Sequence, residues 1–220
     1  MSGMTSIKEI YKIGRGPSSS HTIGPERACK IFKSQNADAD RFNAILFGSL
    51  AKTGKGHGTD TVIEKTFAPT SCAIEFNMVE ENLPHPNTMV LIAIKDGKEI
   101  AYTRVFSVGG GYIEFENMSP EKLENVYPHD NFTDIANYCK DKDIKLWQYA
   151  LDFEGEALKE HIATIWSAMK RSIKNGLDDE GVLPGGLNVQ KKQKHCITVN
   201  TLMKVPKHDK IVWFAPMPLQ

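Results

Sequence analysis

The stretch from Met89 to Val108 limits what this chain can fold into more than any other. MVLIAIK and KEIAYTRVFSV carry alternating apolar residues on either side of Asp96-Gly97. That dipeptide suits a two-residue turn whose central positions both take positive φ, so an antiparallel hairpin is expected. RFNAILFGSL and SCAIEFNMV read as further strands. The implied class is α+β: an N-terminal domain with an antiparallel or mixed sheet and packed helices, followed by helices.

Around these strands lie polar, glycine-rich stretches. PSSSHTIGP, Pro17 to Pro25, gathers Ser18, Ser19, Ser20, Thr22 and His21. The hydroxyls are rotatable donors, and the imidazole titrates near neutral pH. Pro25 suits a first helical turn, so a helix is expected over roughly Pro25 to Lys33. Its N-terminus would favour a carboxylate or phosphate among the hydroxyls. A serine-rich turn with an ordinary N-cap explains the same residues.

AKTGKGHGTD, Ala51 to Asp60, reads as a second loop, with Gly54, Gly56 and Gly58 around Lys55 and His57. The order G-x-x-x-x-G-K-[ST] is absent, so it is not a Walker A loop. TDTVIEKTF then reads as a helix capped by Thr59 or Asp60. LPHPNT holds His85 between two stiffening prolines, with Asn87 following. Gly109 to Gly111 in SVGGGYIEF allow a bulge or a close backbone approach. Any of His21, His57 and His85 alone would more often be structural; three in polar loops form a candidate site. Lys55 either adds charge there or is a solvated surface lysine.

The first residues, SIKEIYKIG, place Ile7, Ile10, Tyr11 and Ile13 on one helical face before Gly14. From Ser119 onward the character is helical. NFTDIANYCKDK carries a side-chain cap at its start, DIKLWQYALDFEG continues in the same vein, and GEALKEHIATIWSAMKRSIKNG is the clearest helix. Its apolar stripe is Leu158, Ile162, Ile165, Trp166, Met169 and Ile173, with Gly176 as stop. His161 reads as structural. After Lys194 the pattern deteriorates, with one plausible strand near Ile211 to Phe214.

Composition excludes several classes. Lys+Arg and Asp+Glu both number 27 in 220 residues, so neither nucleic acid nor an anionic membrane is the expected partner. Apolar runs are too short to span a bilayer and no signal-peptide pattern opens the chain, so a cytoplasmic location is expected. Cys29, Cys72, Cys139 and Cys196 are scattered without a CxxC. Free thiols are expected, and no metal ligand is assigned.

PSSSHTIGP, GSLAKTGKGHGTD, LPHPNT and LPGGLNVQ together resemble the motifs of bacterial iron–sulfur-dependent L-serine dehydratases, or L-serine ammonia-lyases. The resemblance runs from about Tyr11 to about Lys191. It implies a β domain over 1–144, similar to the allosteric substrate-binding domain of some phosphoglycerate dehydrogenases. The start of a helical α domain over 145–194 and an atypical tail over 195–220 would follow.

The implied reaction converts L-serine to pyruvate and ammonia with a [4Fe–4S] cluster and no pyridoxal phosphate. His57 is then the leading base, with His21 or His85 as second choices. Ser18, Ser19, Ser20, Thr22, Thr59 and Asn87 would bind substrate. None of the four cysteines matches a cluster ligand, so truncation or a second chain supplying the α domain is expected, with a homodimer as the usual assembly. The isolated chain is then expected to be inactive. A non-catalytic amino-acid-binding regulatory domain and a vestigial fragment are the alternatives.

Overall fold

A computed structural model describes residues 4–80, 82–118, 123–183 and 188–193. Pro184 to Leu187, Cys196 and the strand expected near Ile211 lie outside the described residues.

The hairpin forms as expected. Strands β4 (Thr88–Lys95) and β5 (Lys98–Gly109) pair antiparallel, and Asp96 and Gly97 take positive φ in the turn. Strand β2 (Arg41–Phe47) lies antiparallel to β4 on one side and parallel to β3 (Ser71–Asn77) on the other. With β6 (Tyr112–Phe115), they form a mixed five-stranded sheet in the order β3-β2-β4-β5-β6. The β5–β6 register slips between Ser107 and Gly109, at the start of the glycine run.

A parallel pair needs a crossover. Here α2 (Gly48–His57) and α3 (Thr59–Phe67) supply it between β2 and β3. Helix α1 (Ile23–Gln35) packs against α3 and reaches β5 and β6. Between helices and sheet sits one apolar core, in which Phe42 stacks on Phe67 at 4.2 Å and meets Phe32 edge-on at 6.1 Å.

Several sequence expectations need correction. Gly48 to His57 is a helix rather than a glycine-rich loop. Gly54 is buried, and a Cβ there would lie 3.3 Å from Phe76 and 3.4 Å from Thr59. Close packing thus offsets the roughly 1 kcal/mol that a helical glycine costs relative to alanine. Helix α1 begins at Ile23, two residues before Pro25, and the residue capping α3 is Gly58 rather than Thr59 or Asp60.

The opening residues form strand β1 (Met4–Thr5) and a single 3-10 turn, Ile7–Glu9, rather than an amphipathic helix. The turn's leading N–H, on Ile7, is taken by Glu154. Ile10, Tyr11 and Ile13 are exposed.

Strand β7 (Asn125–Tyr127) pairs with β1, and α4 (Phe132–Asp141) follows, capped as expected by the Asn131 side chain. Helices α5 (Leu146–Glu154) and α6 (Ala157–Asp178) complete the described fold. Gly176 lies inside α6 and does not stop it.

A second core joins Tyr127, Ile135, Tyr149, Ala150 and Leu158, with Ile7 packed on it. At its edge the Glu154 carboxylate accepts from Ser6 Oγ at 2.5 Å, Ile7 N at 2.7 Å and the Tyr127 hydroxyl. Burial opposes the Glu154 charge, but these hydrogen bonds and Lys8 outweigh it and hold its carboxyl below the usual value. Along α6, Leu158 and Ile165 are buried, whereas Ile162, Trp166, Met169 and Ile173 remain partly exposed.

Candidate functional site

The site gathers at one end of the sheet, where β2 ends and β4 begins. Gly48, at φ +53°, turns the chain from β2 directly into α2. A side chain at Gly48 would collide with the Pro86 carbonyl, which itself accepts from Ser49 N at 2.7 Å. The LPHPNT loop is therefore fastened to the first turn of α2.

His21 is the hub. It is buried, just before α1, and its Nδ1 lies 3.1 Å from both Ser18 Oγ and Ser20 Oγ. Its Nε2 lies 3.0 Å from Thr53 Oγ1 and 3.2 Å from Ser49 Oγ. Thr53 donates its only hydroxyl proton to the Ser49 carbonyl at 2.8 Å. We therefore assign His21 as the Nε2–H tautomer, donating to Thr53 while Nδ1 accepts from the serines. Burial, and then the nearby His57, lower the His21 pKa.

The His57 ring lies 4.5 Å from that of His21, tilted by 32°. Its Nδ1 donates to the Thr53 carbonyl at 2.9 Å, which fixes the opposite tautomer and leaves a lone pair on Nε2. His85 differs again. Its Nδ1 accepts from the Asn87 N–H at 3.0 Å, so a neutral ring carries its proton on Nε2.

The expected substrate-binding residues fall into separate groups. Ser18 and Ser20 are bound to His21, and Ser19 gives its carbonyl to Gly24 N at 2.9 Å. Thr22 donates into the Arg15 and Ser18 carbonyls. Asn87 donates to the Ser107 carbonyl at 3.2 Å. The buried Asn87 Oδ1, Ser107 Oγ and Thr59 Oγ1 have no hydrogen-bond partner among the described residues. Lys55 is turned toward the Phe76 ring, 5.1 Å away.

Sequence reasoning missed Ser49 and Thr53, the residues that tie the two histidines together. A helix over Gly48 to His57 would have placed them one turn apart, with His57 a further turn beyond Thr53.

The [4Fe–4S] cluster implied by resemblance does not fit the described thiols. Cys29 is fully buried in α1, and burial raises its pKa well above the ordinary value. Burial, aided by Glu64, pushes the Cys72 thiol up to about 12, and Cys139 lies apart on α4. Cluster ligation requires thiolates converging on one point. No group of three or more His, Cys, Asp or Glu residues suited to a metal occurs among the described residues.

Residues 6–68 match the family model described as "Serine dehydratase beta chain". This stretch is similar to serine dehydratase beta chains. The beta-chain match takes in the serine cluster, His21, Ser49, Thr53 and His57, whereas His85 and Asn87 follow it.

The chain is 30% identical over 239 aligned positions to L-serine dehydratase 2 of Escherichia coli, covering 86% of this chain and 52% of that protein. It is 28% identical to an L-serine dehydratase of Haemophilus influenzae, over 86% of this chain and 53% of that protein. An L-serine dehydratase of Streptomyces coelicolor is 26% identical, over 85% and 53%. The chain thus spans about half the length of these relatives.

Proposed function

We propose that this chain forms the substrate-holding and proton-abstracting part of an L-serine ammonia-lyase, which converts L-serine to pyruvate and ammonia. The observation that carries this reading is the free Nε2 of His57, fixed beside His21 within the beta-chain segment. L-serine is the substrate named by the relatives.

In this reading His57 Nε2 takes the Cα proton, the Cα–H electron pair forms a Cα=Cβ bond, and the β-hydroxyl leaves with its bonding pair as hydroxide, which takes a proton to become water. Tautomerisation and hydrolysis of the aminoacrylate then give pyruvate and ammonia. The Nδ1–H bond to the Thr53 carbonyl keeps Nε2 as the atom that accepts the proton. The Nε2–H of neutral His85 is the group suited to donate toward the substrate, with Asn87 beside it. His21 holds the architecture, since both its nitrogens are engaged.

Because the described thiols do not fit a cluster, no step is assigned to one. We place the β domain at 1–144 and the start of the helical domain at 145–194. A homodimer or a partner chain would complete the site, in the cytoplasm. No helix among the described residues is long and apolar enough to cross a membrane.

The test is calorimetry of the purified chain with L-serine, alongside a pyruvate assay after anaerobic iron–sulfur reconstitution. Saturable L-serine binding that His57→Gln weakens is expected, without pyruvate release from the isolated chain. Absence of L-serine binding would overturn the reading. Pyruvate release would overturn the need for completion by further residues.

A further inference from the structure

A ligand with a carboxylate is best held by a countercharge, and the hydroxyls of Ser18, Ser20 and Thr22 are committed elsewhere. Ser18 and Ser20 hold His21, and Thr22 donates to backbone carbonyls. Among nearby cations, Lys12 is paired with Glu9 at 3.1 Å and Lys55 lies over Phe76.

Arg15 is placed differently. Its carbonyl accepts from the Thr22 hydroxyl, which ties it to the residue after His21. Its guanidinium reaches across to the residue after His57. A Cβ on Gly58 would lie 3.4 Å from an Arg15 terminal nitrogen and 3.5 Å from the guanidinium carbon. Gly58 takes φ +72°, a conformation that suits glycine, beside that group. The guanidinium makes no ion pair or hydrogen bond among the described residues, and the side chain is exposed.

We propose that Arg15 binds the carboxylate of the ligand that His57 acts on. A guanidinium offers two parallel N–H donors that match the two carboxylate oxygens, and it stays charged at any working pH. The guanidinium lies beside Gly58, the residue that follows His57. The role given to His57 rests on the amino-acid-lyase reading above, whereas carboxylate capture by Arg15 stands on geometry alone.

The test titrates the full chain with propionate, L-serine and the uncharged L-serinamide, following the Gly58 amide and His57 ring signals by NMR. Both carboxylates should move these signals, and Arg15→Gln should weaken both by about ten- to a hundredfold. Arg15→Lys should recover part of the loss, and L-serinamide should respond equally in wild type and variants. Urea midpoints of the variants establish that they are folded. Unchanged carboxylate affinity in Arg15→Gln, or no carboxylate response in the wild type, overturns the proposal. Arg15-dependent propionate binding with L-serine bound no better than propionate sinks the serine reading and leaves this one standing. Tight L-serine binding indifferent to Arg15→Gln does the reverse.

Discussion

His21 and His57 face each other at 4.5 Å with opposite tautomers, and Thr53 sets both. The Thr53 hydroxyl accepts the His21 Nε2–H, while its carbonyl accepts the His57 Nδ1–H. Thr53 thereby takes the Nε2 of one imidazole, whose Nδ1 the serines hold, and leaves the other ring a lone pair on Nε2. The expected long-range proton–nitrogen spectrum at neutral pH has His21 protonated on Nε2 and His57 protonated on Nδ1. Finding His57 protonated on Nε2 instead would remove its suitability as a base.

Activity should follow that lone pair. In the lyase proposed above, His57→Gln is expected to lower kcat by about a hundred- to ten-thousandfold, the usual contribution of a positioned base. KM should change much less. A steady-state assay of pyruvate release decides this, and a variant retaining most of its kcat would exclude His57 as the base.

Stability should depend on pH through His21. Its folded-state pKa is lowered from 6.5, chiefly by burial and then by His57. The folded chain therefore binds protons less readily than the unfolded one. The stability contribution is complete above about pH 6.5 and is lost as pH falls from there through the lowered folded value. Urea midpoints measured from pH 7.5 downward should decline in this window, and His21→Asn should flatten that decline while lowering the midpoint throughout.

The corner at Gly48 should tolerate no side chain. Gly48→Ala places a Cβ against the Pro86 carbonyl and keeps φ at +53°. A loss of about 1–3 kcal/mol is expected from the strained backbone alone. Chemical denaturation measures it, and a change within about 0.5 kcal/mol, the range typical of neutral surface substitutions, would contradict the geometry.

Glu154→Gln should destabilise the chain by about 1–3 kcal/mol near neutral pH, since a charged acceptor of three hydrogen bonds is lost. The folded carboxyl lies below its ordinary value of 4.5, so its contribution is present above that value and lost as pH falls through the folded one. Wild type and variant should therefore converge in stability at acid pH.

Much of this was legible in the sequence, for reasons that differ by element. Asp96-Gly97 fixed the hairpin because turn chemistry and strand alternation agree there. Asn131 announced α4 because its side chain caps the Asp134 N–H locally. Helix α2 was hidden because its glycines argue for a loop, and only the contact of Gly54 with β3 and α3 explains them. The same misreading concealed Ser49 and Thr53, whose place depends on helical spacing. Arg15 was invisible for a related reason: its significance lies in its contact with Gly58, far along the chain.

The Glu154 fastening has a mechanical consequence. The segment from Ile7 to Thr22 is pinned at one end to α5 through Glu154 and on its way by the Tyr11 carbonyl to His161 of α6, 3.2 Å away. Toward its other end the Thr22 hydroxyl, beside His21, folds the segment back onto the Arg15 and Ser18 carbonyls. Arg15 lies in this segment, between the Tyr11 tie and Thr22. A rotation of α5 and α6 would reach it through Glu154 and His161, so carboxylate affinity and the position of these helices should vary together. Cutting the anchor with Ser6→Ala and Glu154→Gln should therefore loosen Arg15, a change visible in the Gly58 amide signal before any change in the sheet.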